Sequence, residues 1–219
     1  MSADRVIKKI DDARFEFGKN RLSLFDEKKI TEIEWSVLLL EDRRFFIHSG
    51  VDAFRASLRI LRQLSKLRRI GGISTIEQQL VRTLLDDRRR NAARKLRESV
   101  VANAISYRKR KIDILRAYLK YAYLGYKVTG IDSAANLLFN CEGKDTTPTQ
   151  SDFIACLLVY PLPKAVIAQI LSEDTDETCA EILSSAYTVA PHWSQRMARR
   201  MSYAAHLRRY SVKPFYEVH

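Results

Sequence analysis

Glycine and proline, the residues that most often interrupt helices, are scarce in this chain. Only seven glycines and five prolines occur among 219 residues. A fold of many short strands needs tight turns, which are rich in both residues, so their scarcity favours long helices. Hydrophobic residues make up 46% of the chain and charged residues 29%, a composition typical of a folded protein. We therefore predict a mainly α domain.

Cap signals and apolar spacing locate the predicted helices. Thr31 and Glu34 fit a capping box ahead of an apolar run, so a helix should begin near Thr31. Ser74 and Glu77 fit a second box, which predicts a helix to about Leu85. Further helices are predicted over 51–70, 94–107, 111–124, 132–139, 151–160 and 191–210. No segment shows the alternation that is typical of a strand.

The chain contains no internal repeat, low-complexity tract or Pro/Gly/Ser-rich linker. We predict an N-terminal extension over residues 1–30 and a single domain over 31–219. The longest unbroken apolar run, residues 153–160, has eight residues, whereas roughly 20 are needed to cross a bilayer. The N-terminal residues lack the apolar core of a signal peptide. The sequence therefore predicts neither a signal peptide nor a membrane anchor in this chain.

The net charge of +12 favours an anionic partner. Nucleic acid, an acidic membrane surface and a phosphate-bearing substrate all meet that description, and charge does not choose among them. Cys141, Cys156 and Cys179 have neither paired nor metal-ligand spacing. We therefore interpret them as free thiols.

Two glutamates are candidates for proton-transfer chemistry. Glu41 ends the helix predicted from Thr31 and continues its apolar face. Glu98 is followed by apolar residues at helical spacing, and we expect its helix to be apolar over much of its circumference. A carboxylate in that setting is partly desolvated. An ordinary ion pair with Arg94 or Lys95 is the alternative for Glu98.

A pair of glycines, Gly71 and Gly72, precedes the helix predicted near Ser74. Glycines let a backbone approach a ligand closely, and a helix N-terminus attracts anions. Arg82 lies one turn beyond Gln78 and adds a positive charge suited to phosphate. A glycine turn with a capped helix explains the same residues, and no complete nucleotide-binding fingerprint is present.

A single histidine and a basic run complete the candidates. His48 could act as a base or a ligand, although a lone histidine more often forms an ordinary hydrogen bond. The cationic run 108–111 is typical of a solvated helix end. The remaining histidines, which form no metal motif with His48, are His192, His206 and His219.

Five successive segments, covering about residues 31–163, resemble the peptidoglycan glycosyltransferases, the lysozyme-like family that polymerises lipid II. The segments are Glu41-Asp42-x-x-Phe45-x-x-His48-x-Gly50, Gly72-x-Ser74-Thr75-Ile76-x-Gln78-Gln79-x-x-Arg82, Arg94-Lys95-x-x-Glu98, Lys111-x-x-Ile114-Leu115-x-x-Tyr118-Leu119, and a degraded fifth from Gly125 to Asn140. The order and spacing of these segments carry the resemblance, because each one alone is a weak signal.

The resemblance implies a mainly helical, lysozyme-like fold with a cleft between two lobes. It also implies that Glu41 is the catalytic base, which deprotonates the 4-hydroxyl of an acceptor sugar. That oxygen would attack the anomeric carbon of a lipid-diphosphate-linked glycan with inversion, releasing undecaprenyl diphosphate. Glu98 would assist at the diphosphate, where a divalent cation, Mg²⁺ or Mn²⁺, is one option.

The resemblance further implies a substrate-binding set and its partners. The partners would be lipid II, the nascent glycan strand and a membrane surface contacted by residues 51–70, with no nucleic acid. Arg82, Arg94 and Lys95 would hold the phosphates. The other implied substrate-binding residues are Asp42, Phe45, His48, Ser74, Thr75, Gln78 and Gln79.

Some features depart from the usual family pattern. Arg82 stands where lysine is usual, and Lys120 stands where asparagine is usual. With no anchor helix and no transpeptidase domain in the sequence, we predict a monofunctional enzyme. Its function implies the outer face of the inner membrane, and the alternatives are a cytoplasmic protein or one exported by an unseen route.

Two other functions stay open at this point. One is a family relative of altered activity, either a glycan hydrolase or an effector that disturbs wall synthesis, which would use the same glutamates but yield short sugars. The other is a helical nucleic-acid-binding protein. Only the charge supports it, because the chain lacks a recognised nucleic-acid motif.

Overall fold

The computed structural model describes residues 2–19, 29–54, 74–86, 91–172 and 178–213. Helices dominate these ranges, so the predicted mainly α class is confirmed. The predicted helix over 51–70 and the glycine pair before Ser74 lie largely outside the described residues. In chain order the helices are α1 (Ser2–Lys19), α2 (Glu32–Glu41), α3 (Ile76–Leu85), α4 (Ala92–Arg108), α5 (Lys111–Tyr121), α6 (Ile131–Phe139), α7 (Pro148–Leu157), α8 (Lys164–Ile170), α9 (Cys179–Val189) and α10 (Pro191–Tyr210), with strands β1 (Tyr123–Gly125) and β2 (Val128–Thr129) and a 3₁₀ turn (Gly143–Asp145).

The chain divides into two compact units, and the first comprises residues 1–20 and 41–118. Within it α1 packs against α3 and α4, which also pack against each other. Val6, Ile10 and Ala13 recur at helical spacing on α1 and are buried, as expected for the apolar stripe of an amphipathic helix. The segment predicted as an N-terminal extension therefore contributes a helix to the core of this unit.

The second unit comprises residues 21–40 and 119–219. Here α10 packs against α7 and α9, and α6 packs against α7. Phe153 is fully buried on α7 and meets Phe139 and Trp193 edge-on, with ring centroids 6.0 and 6.5 Å apart. The indole N–H of Trp193 donates to the carbonyl of Tyr160 at 2.9 Å. The predicted helix from Pro191 is thus anchored by its first aromatic residue.

The two predicted capping boxes have different outcomes. At α2, the backbone N–H of Glu34 donates to the Thr31 hydroxyl at 3.3 Å, and the N–H of Thr31 donates to the Glu34 carboxylate at 2.8 Å. At α3, the prediction was wrong by one residue, because Thr75 and Gln78 form the box instead of Ser74 and Glu77. The shift releases Glu77 from the cap, and its side chain is fully buried.

A short hairpin replaces the end of the helix predicted over 111–124. α5 ends at Tyr121, and β1 and β2 pair as antiparallel strands, so the prediction of no strand was wrong here. Leu162 forms a bridge with Gly125, and its N–H donates to the carbonyl of Leu124 at 2.8 Å. A Cβ on Gly125 would lie 2.5 Å from the Cβ of Leu162. The backbone at Gly125 therefore depends on contact with Leu162, which is distant in sequence and which local spacing does not predict.

Three further predictions concern cysteines, membrane helices and the basic run. The three cysteines are free, as predicted. Among the described helices, none has the length and apolar character needed to cross a membrane. The basic run, however, is not simply solvated. Its ion pairs are Arg108 with Asp4, Lys109 with Asp11, Arg110 with Asp113 and Lys111 with Glu77.

Candidate active site

Glu41 is the last residue of α2, and its carboxylate is held by Gln79 of α3. The side-chain amide nitrogen of Gln79 donates to Glu41 Oε2 at 3.2 Å. The amide oxygen of the same residue accepts from the hydroxyl of Tyr118 at 2.8 Å. Glu41 itself is half-buried. The structure thus brings together a residue from each of three segments that are distant in sequence.

A buried polar cluster begins directly after Glu41. Asp42 is fully buried, and its Oδ2 accepts from the backbone N–H of Ile76 at 3.3 Å, where the positive end of α3 favours a carboxylate. The same oxygen lies 2.9 Å from Nε2 of His48. Phe45 packs edge-on against His48, with centroids 6.3 Å apart. Their burial suits Asp42, Phe45 and His48 to shaping the loop, and their predicted contact with substrate stays a prediction.

Glu77, which we did not predict as a site residue, joins this cluster. Its Oε1 lies 3.9 Å from Nδ1 of His48 and pairs with the ammonium group of Lys111, which also lies 4.5 Å from the centre of the Phe45 ring. Asp42, His48 and Glu77 each offer one ligand atom within 4.8 Å of the others. This buried group could hold a metal ion. The sequence prediction missed Glu77 because it assigned the carboxylate to the helix cap.

Thr75 ties the second segment of the site to the first. Its hydroxyl donates to the carbonyl oxygen of Gly50 at 2.6 Å and accepts from the N–H of Gln78 at 3.3 Å. Gly50 has a φ of 79°, and a Cβ there would lie 2.5 Å from the backbone of Ala102, so only glycine fits without strain. Because Thr75 is 3% exposed, its visible role is structural.

Glu98 lies on α4 and is buried, as predicted, with 3% of its surface exposed. Lys95 Nζ is 3.3 Å from its Oε2, and Arg94 Nε is 3.5 Å from its Oε1, so the ion-pair alternative is what the structure shows. We expected this helix to be apolar over much of its circumference, but the second apolar side is not buried, since Leu96 and Val100 are 68% and 60% exposed. The buried face carries Glu98 together with Val101, Ala102 and Ile105.

Lys95 contacts two more of the predicted residues, Ser74 and Gln78. Its Nζ donates to the Ser74 hydroxyl at 2.8 Å and to the Gln78 amide oxygen at 3.1 Å. Burial lowers the pKa of Lys95, the pair with Glu98 opposes that shift, and the positive charges of Arg82 and Arg94 add to it. A bound anion such as a phosphate would offset the repulsion that these two arginines exert on Lys95.

A mainly helical frame that holds two glutamates, one of them beside cations suited to phosphate, agrees with the family resemblance of the sequence. A family model described as Transglycosylase matches residues 12–184. The chain therefore belongs to the transglycosylase family. The matched range begins inside the predicted extension, so the boundary at residue 31 stays a prediction.

Relatives with established names support the same family. Penicillin-binding protein 1F of Bacillus subtilis (strain 168) is 30% identical over 168 residues, which are 73% of this chain and 23% of that protein. Penicillin-binding protein 1A of Vibrio cholerae serotype O1 is 34% identical over 151 residues, which are 68% of this chain and 18% of that protein. Penicillin-binding protein 1A of Rickettsia bellii is 34% identical over 134 residues, 60% of this chain and 17% of that protein. The chain thus spans less than a quarter of the length of these relatives, and its monofunctional character stays a prediction.

Proposed function

We propose that the protein polymerises lipid II into glycan strands and releases undecaprenyl diphosphate, with Glu41 as the general base. The observation that carries the proposal is the bond from the Gln79 amide to Glu41 Oε2. This bond helps to fix the orientation of the Glu41 carboxylate, and a general base must be held in position relative to the proton that it removes. In the proposed reaction it takes the proton of the acceptor sugar's 4-hydroxyl, whose oxygen then attacks the anomeric carbon of the donor.

We propose that basic side chains stabilise the departing diphosphate. Arg82 and Arg94 lie close enough to act on the charge of Lys95, and charge-assisted hydrogen bonds from such groups stabilise phosphate oxygens. Glu98 pairs with both Arg94 and Lys95. We propose that Glu98 assists by holding these two cations, because a carboxylate in direct contact with a diphosphate would be repelled.

Two places in the site have carboxylates that could bind a divalent cation. Around Glu98, the positive groups of Arg94 and Lys95 already pair with the carboxylate, so a cation bound there would compete with both ion pairs. The buried group of Asp42, His48 and Glu77 has suitable ligand atoms, but the ammonium of Lys111 already pairs with Glu77. The proposed reaction therefore contains no step that depends on a metal ion.

The proposed partners are lipid II, the growing glycan strand and a membrane surface, at the outer face of the inner membrane. Membership of the transglycosylase family and the net charge of +12 support them, because anionic lipids and diphosphates both attract basic proteins. The same family membership disfavours a nucleic-acid-binding function, which charge alone supported.

The test is incubation of the purified protein with labelled lipid II, detergent and Mg²⁺. We expect long glycan chains from the wild type, none from Glu41→Gln, and an undiminished yield from Glu142→Gln, which changes an exposed glutamate. A wild type that makes no polymer but releases soluble sugars from intact peptidoglycan would establish the altered activity instead. A steeply salt-sensitive affinity for duplex DNA without lipid II binding would point to the nucleic-acid alternative.

A further inference from the structure

We infer that Tyr118 is a positioning residue for the base, acting through Gln79. Its hydroxyl fixes the side-chain amide of Gln79 in the orientation that presents the NH₂ group to Glu41. The inference rests on the proposed function, in which Glu41 removes the proton of the acceptor hydroxyl. In the sequence, Tyr118 is one member of the fourth segment of the family resemblance, and that segment alone implies no catalytic or binding role for it.

The two hydrogen bonds share one planar amide. Tyr118 is 3% exposed on α5, and its hydroxyl lies 2.8 Å from Gln79 Oε1. Gln79 Nε2 lies 3.2 Å from Glu41 Oε2. Because an ionised carboxylate only accepts hydrogen bonds, the NH₂ side of the amide must face Glu41. The amide oxygen then faces Tyr118, where a donor is required, and the phenol supplies it.

The Gln79 amide nitrogen also has a second acceptor. It lies 3.5 Å from the carbonyl oxygen of Ser74, and because an NH₂ group has two hydrogens it can donate to Ser74 and Glu41 together. The longer bond to Ser74 fixes the amide less well than the 2.8 Å bond from Tyr118. Without the phenol hydroxyl the amide oxygen loses its donor, and the amide can rotate away from the orientation that serves Glu41.

We expect the loss of the Tyr118 hydroxyl to lower the rate of reaction and not the affinity for substrate. A general base must meet the hydroxyl proton at hydrogen-bond distance, and a displacement of about 1 Å can cost on the order of 100-fold in rate. In this inference Tyr118 acts on Glu41 through Gln79, so the loss of its hydroxyl should be milder than the loss of Glu41. We expect a fall in kcat of roughly 10-fold, with KM changed by less than about 2-fold.

The experiment compares four variants with the wild-type protein in the lipid II assay. Tyr118→Phe removes one oxygen and keeps the buried ring, and Tyr107→Phe, at a side chain 92% exposed on α4, is the matched control. The other two variants are Gln79→Ala and the double variant Tyr118→Phe/Gln79→Ala. If Tyr118 acts through Gln79, the double variant should be no slower than Gln79→Ala, because the second change removes a bond that no longer orients anything.

A second measurement does not depend on turnover. The side-chain NH₂ hydrogens of Gln79 should exchange slowly with solvent in the wild type, and their exchange should become faster in Tyr118→Phe but not in Tyr107→Phe. Unchanged exchange, a fully active Tyr118→Phe, or additive losses in the double variant would overturn the inference. A wild type that makes no polymer would instead overturn the proposed function, so the two failures are distinguishable.

Discussion

The buried hydroxyl of Thr75 donates to the carbonyl oxygen of Gly50 at 2.6 Å, although the two residues are 25 positions apart in sequence. Thr75 caps α3, which carries Gln79, and Gly50 ends the segment that begins with Glu41. The bond therefore joins the segment of the proposed base to the helix that orients it. The geometry of the candidate site depends on this connection.

Replacing Thr75 with valine should destabilise the protein by about 2–4 kcal/mol. The change removes a helix cap, which contributes about 1 kcal/mol, and leaves the buried Gly50 carbonyl without its donor, which costs about 1–3 kcal/mol. Denaturant unfolding of the purified variant measures this loss. Thr75→Ser keeps the hydroxyl and should retain most of the stability, so equal losses in both variants would contradict this account.

Gly50→Ala should be more damaging than its single added methyl group suggests. The backbone there has a φ of 79°, and the new Cβ would lie 2.5 Å from the carbonyl carbon and oxygen of Ala102. We expect a loss of at least about 2 kcal/mol, from left-handed strain together with overpacking. Thermal unfolding compared with Ser49→Ala, at the exposed preceding residue, provides the measurement, and similar melting temperatures would refute the predicted clash.

The ion pair between Glu77 and Lys111 should behave as a buried pair. The two side chains are 0% and 16% exposed, so Glu77→Gln should cost about 3–5 kcal/mol by leaving the ammonium without its charged partner. The double change Glu77→Leu/Lys111→Met should recover much of that loss, because it removes both charges together. For comparison, Glu142→Gln breaks an exposed pair with Lys144 and should cost less than about 1 kcal/mol. A double variant as unstable as the sum of the single variants would argue against coupling.

The ion pairs of Glu32 should make the second unit sensitive to acid. Burial by itself raises the pKa of Glu32, but its pairs with Lys213 and Arg208 outweigh burial and hold that pKa below its usual value. A carboxyl whose pKa is lower in the folded state contributes stability above its unfolded pKa and loses it as the pH falls through the folded pKa. We therefore expect the unfolding free energy to fall below about pH 5.

Urea unfolding at a series of pH values tests this acid sensitivity. Glu32→Gln should flatten the part of the curve that Glu32 produces, since an amide does not titrate in this range. Lys213→Met, which removes one of the two cations that lower the pKa of Glu32, should make the loss smaller and complete at a higher pH. An unchanged pH dependence in both variants would mean that Glu32 does not contribute to acid stability.

Local signals in the sequence were sufficient for several features. The capping box of Thr31 and Glu34, the helix over 191–210 and the burial of Glu98 were all predicted correctly, because caps and helical spacing act within one or two turns of the chain. The same kind of signal failed at Ser74. Two adjacent residues could each cap α3 there, and only Thr75 also reaches the carbonyl of Gly50.

The sequence by itself determined the helical class, the family resemblance and the glutamates proposed for catalysis, because these depend on composition, order and short-range spacing. Only the tertiary structure decided which groups touch. It turned Glu77 toward His48 and Lys111, left Leu96 and Val100 exposed, and linked Tyr118 to Glu41 through Gln79. The physical reason is that these contacts join residues tens of positions apart, and they form only when separate helices pack against one another.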